Sequence, residues 1–214
     1  MAKFPEPPGV EALSDIPPST KTLPAGTEVA RIFFTGSDHP TNWDTFRYFG
    51  PTASRFDHHQ VNDEGQPHLQ ERGMMYLAAG KESIPTCLAE VFQTSRVIDR
   101  YSRDPILAGF KIARPVELLD LRGPFATAVG ASMAINTGAR PRARRWAQQF
   151  YDAYYNIDGI LYCSSMYAFA PAVALFERAL DAIPSRPVFH RELKDVVLSN
   201  VLNATAKKIG YGLI

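Results

Sequence analysis

Short apolar runs set the strongest constraint on this chain. Glu28–Phe34 (EVARIFF), Gly73–Ala79 (GMMYLAA), Gly159–Cys163 (GILYC) and Ala172–Phe176 (AVALF) are each strand-length, too short for a core helix, and interrupted by turn-forming residues. Ile106–Ile112 and Val116–Leu121 read the same way and are broken at Pro115. Three other segments carry helical spacing. In Ile84–Phe92, Ile84, Cys87, Leu88 and Val91 share a face, Pro85 lies near the start and Ser83 is the expected N-cap. In Arg142–Tyr154, Trp146 and Phe150 stand four apart, and Asp195–Lys208 is amphipathic. Strands and helices mix without strict alternation. The expected fold is therefore α+β, with a mixed sheet flanked by helices, rather than a doubly wound sheet.

A chain of 214 residues, 45% hydrophobic and 21% charged, has enough apolar material for one globular core and is neither disordered nor collagen-like. No run approaches the length of a membrane span, and Met1–Val10 has no apolar signal region, so neither a membrane anchor nor a secretory signal is expected. Cys87 and Cys163 stand far apart with no C-x-x-C, which fits free thiols in a reducing cytoplasm. A net charge of +1 disfavours direct nucleic-acid binding. Residues 1–28 hold Pro5, Pro7, Pro8, Pro17, Pro18 and Pro24, and read as an extended arm, packed on the surface or mobile, rather than part of the core. Residues 29–185 form the expected domain, and 186–214 a helical extension packed on it. Ser37–Asp44 reads as a loop, Phe46–Asp57 as short extended segments around a Gly-Pro break, and Asn62–Gln70 as a polar loop.

No G-x-G-x-x-G, Walker A, H-E-x-x-H or G-x-S-x-G occurs, which removes the main support for Rossmann, P-loop, zincin and hydrolase-elbow readings. His58 and His59 beside Asp57 lack diagnostic metal spacing; loop histidines in a polar segment are the preferred reading, and no metal is expected. Arg140, Arg142, Arg144 and Arg145 read as a solvated helix start. Positive charge there opposes the helix dipole, which leaves room for an anionic partner.

One ordered set is more specific. Arg31 in the first strand is followed by FGPTASRFD (49–57), GMMYLAA (73–79), CLAEVF (87–92), DGILYCSS (158–165) and AVALFERA (172–179). From about Glu28 to Ile183 this order resembles the RES domain family. The resemblance implies a fold like that of the diphtheria-toxin type of ADP-ribosyltransferases. It also implies an enzyme that consumes NAD, by phosphorolysis or hydrolysis of the nicotinamide–ribose bond or, alternatively, by passing ADP-ribose to a protein. It further implies a toxin neutralised by an Xre-like antitoxin, with homodimerisation as a further expectation. Motif by motif, Arg31 and Arg55 fall on the family's arginines, Tyr76 on its Y-L-A tyrosine, Glu90 on its glutamate and Ser164 on its serine. The adjacent Ser165 leaves the functional serine open.

The chemistry suits those residue types. Breaking the N-glycosidic bond of NAD places positive charge on the ribose, which a fixed carboxylate, Glu90, would stabilise. Arg31 and Arg55 suit the diphosphate, Tyr76 a cationic ring, and Ser164 a ribose hydroxyl or amide. The set expected for catalysis is Glu90, Arg55 and Tyr76, and for substrate binding Arg31, Arg55, Tyr76 and Ser164, with NAD as substrate, inorganic phosphate as the possible second substrate and no bound cofactor. Taken singly, each has an ordinary alternative: Arg55 pairing with Asp57, Glu90 with Arg96, Tyr76 in the core, Ser164 ending a strand. The joint expectation is that Arg31, Arg55, Tyr76 and Glu90 line one cleft.

Overall fold

The computed structural model describes residues 4–167 and 169–214. In chain order its elements are α1 (Val10–Ser14), β1 (Thr20–Leu23), β2 (Glu28–Phe34), β3 (Arg47–Gly50), β4 (His68–Ala79), α2 (Ser83–Val91), β5 (Val97–Ile98), β6 (Pro105–Lys111) and β7 (Val116–Asp120). There follow α3 (Phe125–Ala128), α4 (Ala134–Thr137), α5 (Arg140–Ala153), β8 (Gly159–Cys163), β9 (Pro171–Phe176), β10 (Phe189–Glu192), α6 (Ser199–Ile209) and β11 (Gly212–Leu213). The main sheet runs β1-β7-β8-β9-β4-β2-β6-β10, with β3 also paired to β4. Among the described residues only β7 and β8 pair in parallel within it, so the sheet is mixed and the fold is α+β.

Period-two alternation sorts the strand residues onto two faces. Met74, Ala172, Ala174 and Phe176 face α5, where Ala143, Trp146, Ala147 and Phe150 supply the covering stripe. Met75, Leu77, Val173 and Leu175 face the other way, under Trp43, Phe46 and the turn carrying Ala179 and Ala182. A third cluster packs Leu88 of α2 and Leu202 of α6 on Ala30, Ala78 and Leu107.

One pairing detail creates the site. Along one side β4 pairs with β9 from Met74 to Ala78. On its other side two strands share it. β3 reaches only as far as Met74, and β2 pairs only at Ala78 and Ala79. The sheet forks there, around Met75–Leu77.

Several expectations need correction. Within the described part of the arm, β1 is hydrogen-bonded to β7 as an edge strand, and Leu13 and Phe4 are buried in the α5 cluster. Polar contacts hold the arm in place. Tyr154 donates to the Leu13 and Ile16 carbonyls, Trp146 to Pro5 O, and Arg142 and Arg145 pair with Glu6. The prolines stiffen a packed segment; they do not expel it. The segment 186–214 is likewise not purely helical, because β10 pairs with β6. Gly109 permits this, since a Cβ there would collide with the Phe189 ring. β4 starts at His68, inside the expected polar loop. Ser83 is the first residue of α2 and not its cap, which is Glu82.

Leu13 separates a packed arm from a mobile one. Leu13→Ala is expected to cost about 2–5 kcal/mol, the range for truncating a fully buried leucine, read as a lower urea midpoint. An unchanged midpoint would mean the arm is not part of the cooperative core.

Candidate active site

At the fork lies a cleft of about 670 Å³ lined by Arg31, Arg55, Tyr76 and Glu90. The four residues expected from sequence to share a cleft do so, coming from β2, the loop after β3, β4 and α2.

Glu90 owes its position to α2. Pro85 is tolerated in the first turn of this helix, where its missing N–H is no loss. Thr86 to Ala89 are buried, and Glu90 turns off that buried face into the cleft. It sits in the last turn, where the helix dipole disfavours a carboxylate. Two donors offset this: the Ser164 hydroxyl at 2.6 Å from Oε1 and the Gln93 amide at 3.3 Å from Oε2. Ser164 is itself committed. Its Oγ accepts from the backbone N–H of Met166 (3.2 Å) and Tyr167 (3.0 Å), so its one proton is left for Glu90. Ser164 is buried, is not among the residues that line the cleft, and reaches it through its bond to Glu90. Glu90 does not pair with Arg96.

Arg31 is 6% exposed and donates to the carbonyls of Trp43 and Thr45, both at 3.1 Å. Its Nε is buried without a hydrogen-bond partner among the described residues, and no carboxylate stands within ion-pair distance. Burial pushes its pKa down to about 10, partly offset by the Asp44 charge, so it remains a cation at neutral pH. Arg55 donates to Gly138 O at 2.6 Å and Ile135 O at 3.4 Å. Burial, then Arg140, lowers its pKa, and Glu90 acts in the opposite direction. The Tyr76 ring is half-buried in the cleft wall, and its hydroxyl is buried without a hydrogen-bond partner among the described residues. Burial, followed by the nearby Asp57 charge, pushes its pKa well up, so it stays a neutral phenol.

Asp57 does not pair with Arg55, as one sequence reading allowed. Its partner is Arg47, at 2.7 Å. The same Asp57 Oδ2 accepts from the Thr52 N–H and hydroxyl, each at 2.7 Å, and Oδ1 is bonded to His59. Burial alone would raise the Asp57 pKa; His59, Arg47 and Thr52 together hold it well below the usual carboxylate range. This carboxylate therefore fixes Arg47 and Thr52, both of which line the cleft. His58 and His59 are loop residues, as expected, but fully buried. Gly50 makes room for the His59 ring, since a Cβ there would lie 2.5 Å from its Cγ. Among the described residues no cluster of three His, Cys, Asp or Glu side chains is arranged to hold a metal.

Sequence reasoning missed Arg47, Thr52, Tyr162 and Arg103, all on the cleft wall. Arg47 and Thr52 lie within or beside the segment already singled out for Arg55, and Tyr162 within GILYC. Arg103 had no signal at all. The Arg140–Arg145 run splits: Arg140 lines the cleft, while Arg142 and Arg145 pair with Glu6.

A family model for the RES domain matches residues 28–194. The chain belongs to the RES domain family. Among solved structures, the crystal structure of the M. tuberculosis MbcT–MbcA toxin–antitoxin complex contains a similar chain, with TM-score 0.52 and 14% sequence identity, over 89% of this chain and 94% of that one. At that identity the likeness speaks for the fold. No curated protein sequence matches this RES-domain chain. Among the described residues no helix is long and apolar enough to cross a membrane.

The histidine behind the cleft yields a pH prediction. His58 stacks on Tyr151 and lies 3.7 Å from Glu177. Burial lowers its pKa from 6.5 to about 4, with Glu177 only partly opposing. The unfolded chain takes up this proton at a higher pH than the folded one. Stability is therefore present above pH 6.5 and lost as pH falls toward about 4, by roughly 3 kcal/mol at about 1.4 kcal/mol per pKa unit. Urea titrations across this window should show the fall in the wild type and a flatter profile in His58→Gln. Parallel profiles would remove His58 as the source.

Proposed function

We propose that this RES-domain protein is a toxin that destroys NAD by cleaving its nicotinamide–ribose bond, with water or inorganic phosphate as acceptor. The observation that carries the reading is the Glu90 carboxylate, held by Ser164 and Gln93 in a cleft rich in arginine, with Asp38 the other acidic residue on its lining. A ligand for that cleft needs an anionic part for the guanidiniums and a centre that becomes positive beside Glu90. NAD has both: a diphosphate, and a ribose carbon that gains oxocarbenium character as the bond breaks.

In the proposed step the C1′–N bond breaks and its electron pair passes to the nicotinamide nitrogen, neutralising the pyridinium charge. An oxygen of water or phosphate then bonds to C1′, and a proton leaves to solvent when water is the acceptor. Glu90 stabilises the charge on the ribose. Arg31, Arg55 and Arg47 hold the diphosphate, and the neutral Tyr76 ring forms a wall for the nicotinamide. The toxin–antitoxin complex with a similar fold supports a protein antitoxin as partner. That the antitoxin is of the Xre-like kind, that the protein acts on NAD in the cytoplasm and that it forms a homodimer are parts of the same proposal. Transfer of ADP-ribose to a protein would use the same donor site and differ only in the acceptor.

The test is nicotinamide release from NAD by the purified protein, with and without phosphate. Phosphate-dependent release giving a phosphorylated ADP-ribose marks phosphorolysis, and release independent of phosphate marks hydrolysis. Glu90→Ala should lower turnover at saturating NAD by about 10²–10³, the scale for removing one preorganised electrostatic group. It should also relieve NAD depletion and growth arrest in cells expressing the protein. Arg31→Ala and Arg55→Ala should act mainly on KM, because a contact to phosphate is lost in ground and transition states alike. Equal rates for wild type and Glu90→Ala would exclude Glu90 from the reaction.

A further inference from the structure

The cleft carries an aromatic pair that the bond-breaking step does not use. The His39 and Phe49 rings stack with centroids 3.8 Å apart and planes 24° from parallel, and both line the cleft. His39 is exposed, and its ring makes no hydrogen bond among the described residues. It therefore has no evident duty in holding the fold. Its loop, Thr35–Asn42, is tied down elsewhere, by Gly36 N–H to Arg103 O and Thr41 N–H to Phe34 O.

Strand register orders the wall. Arg47 of β3 stands opposite Met74 of β4, two residues from Tyr76. Phe49 is two residues beyond Arg47 on the side away from Tyr76, opposite Leu69. At about 3.3 Å per strand residue, Arg47 lies about 7 Å along β4 from Tyr76, and Phe49 about 7 Å farther along β3, where β4 carries extra residues between Met74 and Leu69. The register irregularity between Arg47 and Phe49 re-aims the strand there, and both residues still line the cleft. The series is one aromatic wall, Tyr76, in the cleft that Glu90 also lines, then a guanidinium, then a second aromatic platform. A dinucleotide presents the same series: a ring at the reacting ribose, a diphosphate in the middle, and a second base at the far end.

We propose that the His39–Phe49 pair is the platform that seats the adenine of NAD and so selects a dinucleotide over a mononucleotide. This rests on the NAD reading above and extends it to substrate specificity. Base–aromatic stacking tolerates many bases because each has a π-face, so the platform supplies affinity while chemistry stays at Glu90.

Two measurements test it. The first compares nicotinamide release from NAD and from nicotinamide mononucleotide, which has the same reacting bond but no adenosine. His39→Ala and Phe49→Leu should each lower kcat/KM for NAD by about tenfold, through KM. The loss for the mononucleotide should be far smaller, and His39→Phe, which keeps a stackable ring, should restore NAD. Equal losses on both substrates would overturn the proposal, because the pair would then serve the reacting end or the fold. The second is calorimetric titration with ADP, which needs no turnover. Wild type should bind it and His39→Ala about tenfold more weakly. No binding by wild type, or equal binding by both, would overturn the platform. If wild type releases nicotinamide from neither substrate, the NAD reading falls, and the ADP titration alone decides whether the platform exists.

Discussion

The fork beside β4 is the constraint on which the rest of the structure depends. A strand that pairs fully on both sides has no room for a ligand between neighbours. Here β9 binds one side of β4 continuously, while β3 and β2 divide the other and leave Met75–Leu77 between them. Tyr76 falls at the middle of that gap. Arg31 lies just past the last β2–β4 pair, and Arg47 at the last β3–β4 pair. The cleft thus forms on rigid strands, with backbone hydrogen bonds fixing the spacing of its polar groups. The helices complete it. α5 covers one part of the sheet face and α2 with α6 another, and the space between the two groups opens on the fork.

Glu90 illustrates how a locally unfavourable placement persists. Its helix would be better served by a basic residue in the last turn. The compensation comes from 74 positions away, through Ser164, whose hydroxyl is oriented by two backbone donors. A serine without those donors could rotate its proton elsewhere. The Ser164–Glu90 bond therefore depends on the loop after β8 as much as on either side chain.

The strands were legible because each apolar run pairs hydrophobic periodicity with a turn signal, and α2, α5 and α6 because their apolar stripes recur at helical spacing. The arm was misread because proline density was weighed above Leu13 and Phe4, two residues whose burial depends on Trp146 and Phe150 far along the chain. The clustering of Arg31, Arg55, Tyr76 and Glu90 was legible only through their order in the chain, since each alone suits an ordinary structural role. That Ser164 bonds Glu90 and does not line the cleft was not legible, since spacing does not tell which way a hydroxyl points. Arg47 and Asp57 escaped because Arg55 is the nearer arginine in sequence, while the turn at Gly50–Pro51 brings Arg47 back onto the carboxylate.

Net charge concealed the character of the cleft. The chain is almost neutral, at +1, and several arginines outside the cleft pair with carboxylates: Arg114 with Asp158 and Asp181, Arg122 with Asp120, Arg72 with Asp152. Within the cleft the pattern changes. Among the described residues, Arg47 has a carboxylate partner, whereas Arg31 and Arg55 are held by carbonyl oxygens and Arg103 rests on the Phe34 ring. A carbonyl dipole fixes a guanidinium in place without cancelling its charge. The fold has also already removed Arg31 from water, so an incoming anion displaces little solvent from it and meets a charge that is poorly screened. For that reason a count of basic residues, which gives near-neutrality, does not reveal the site; what marks it is that several guanidiniums without a carboxylate partner gather in one cleft.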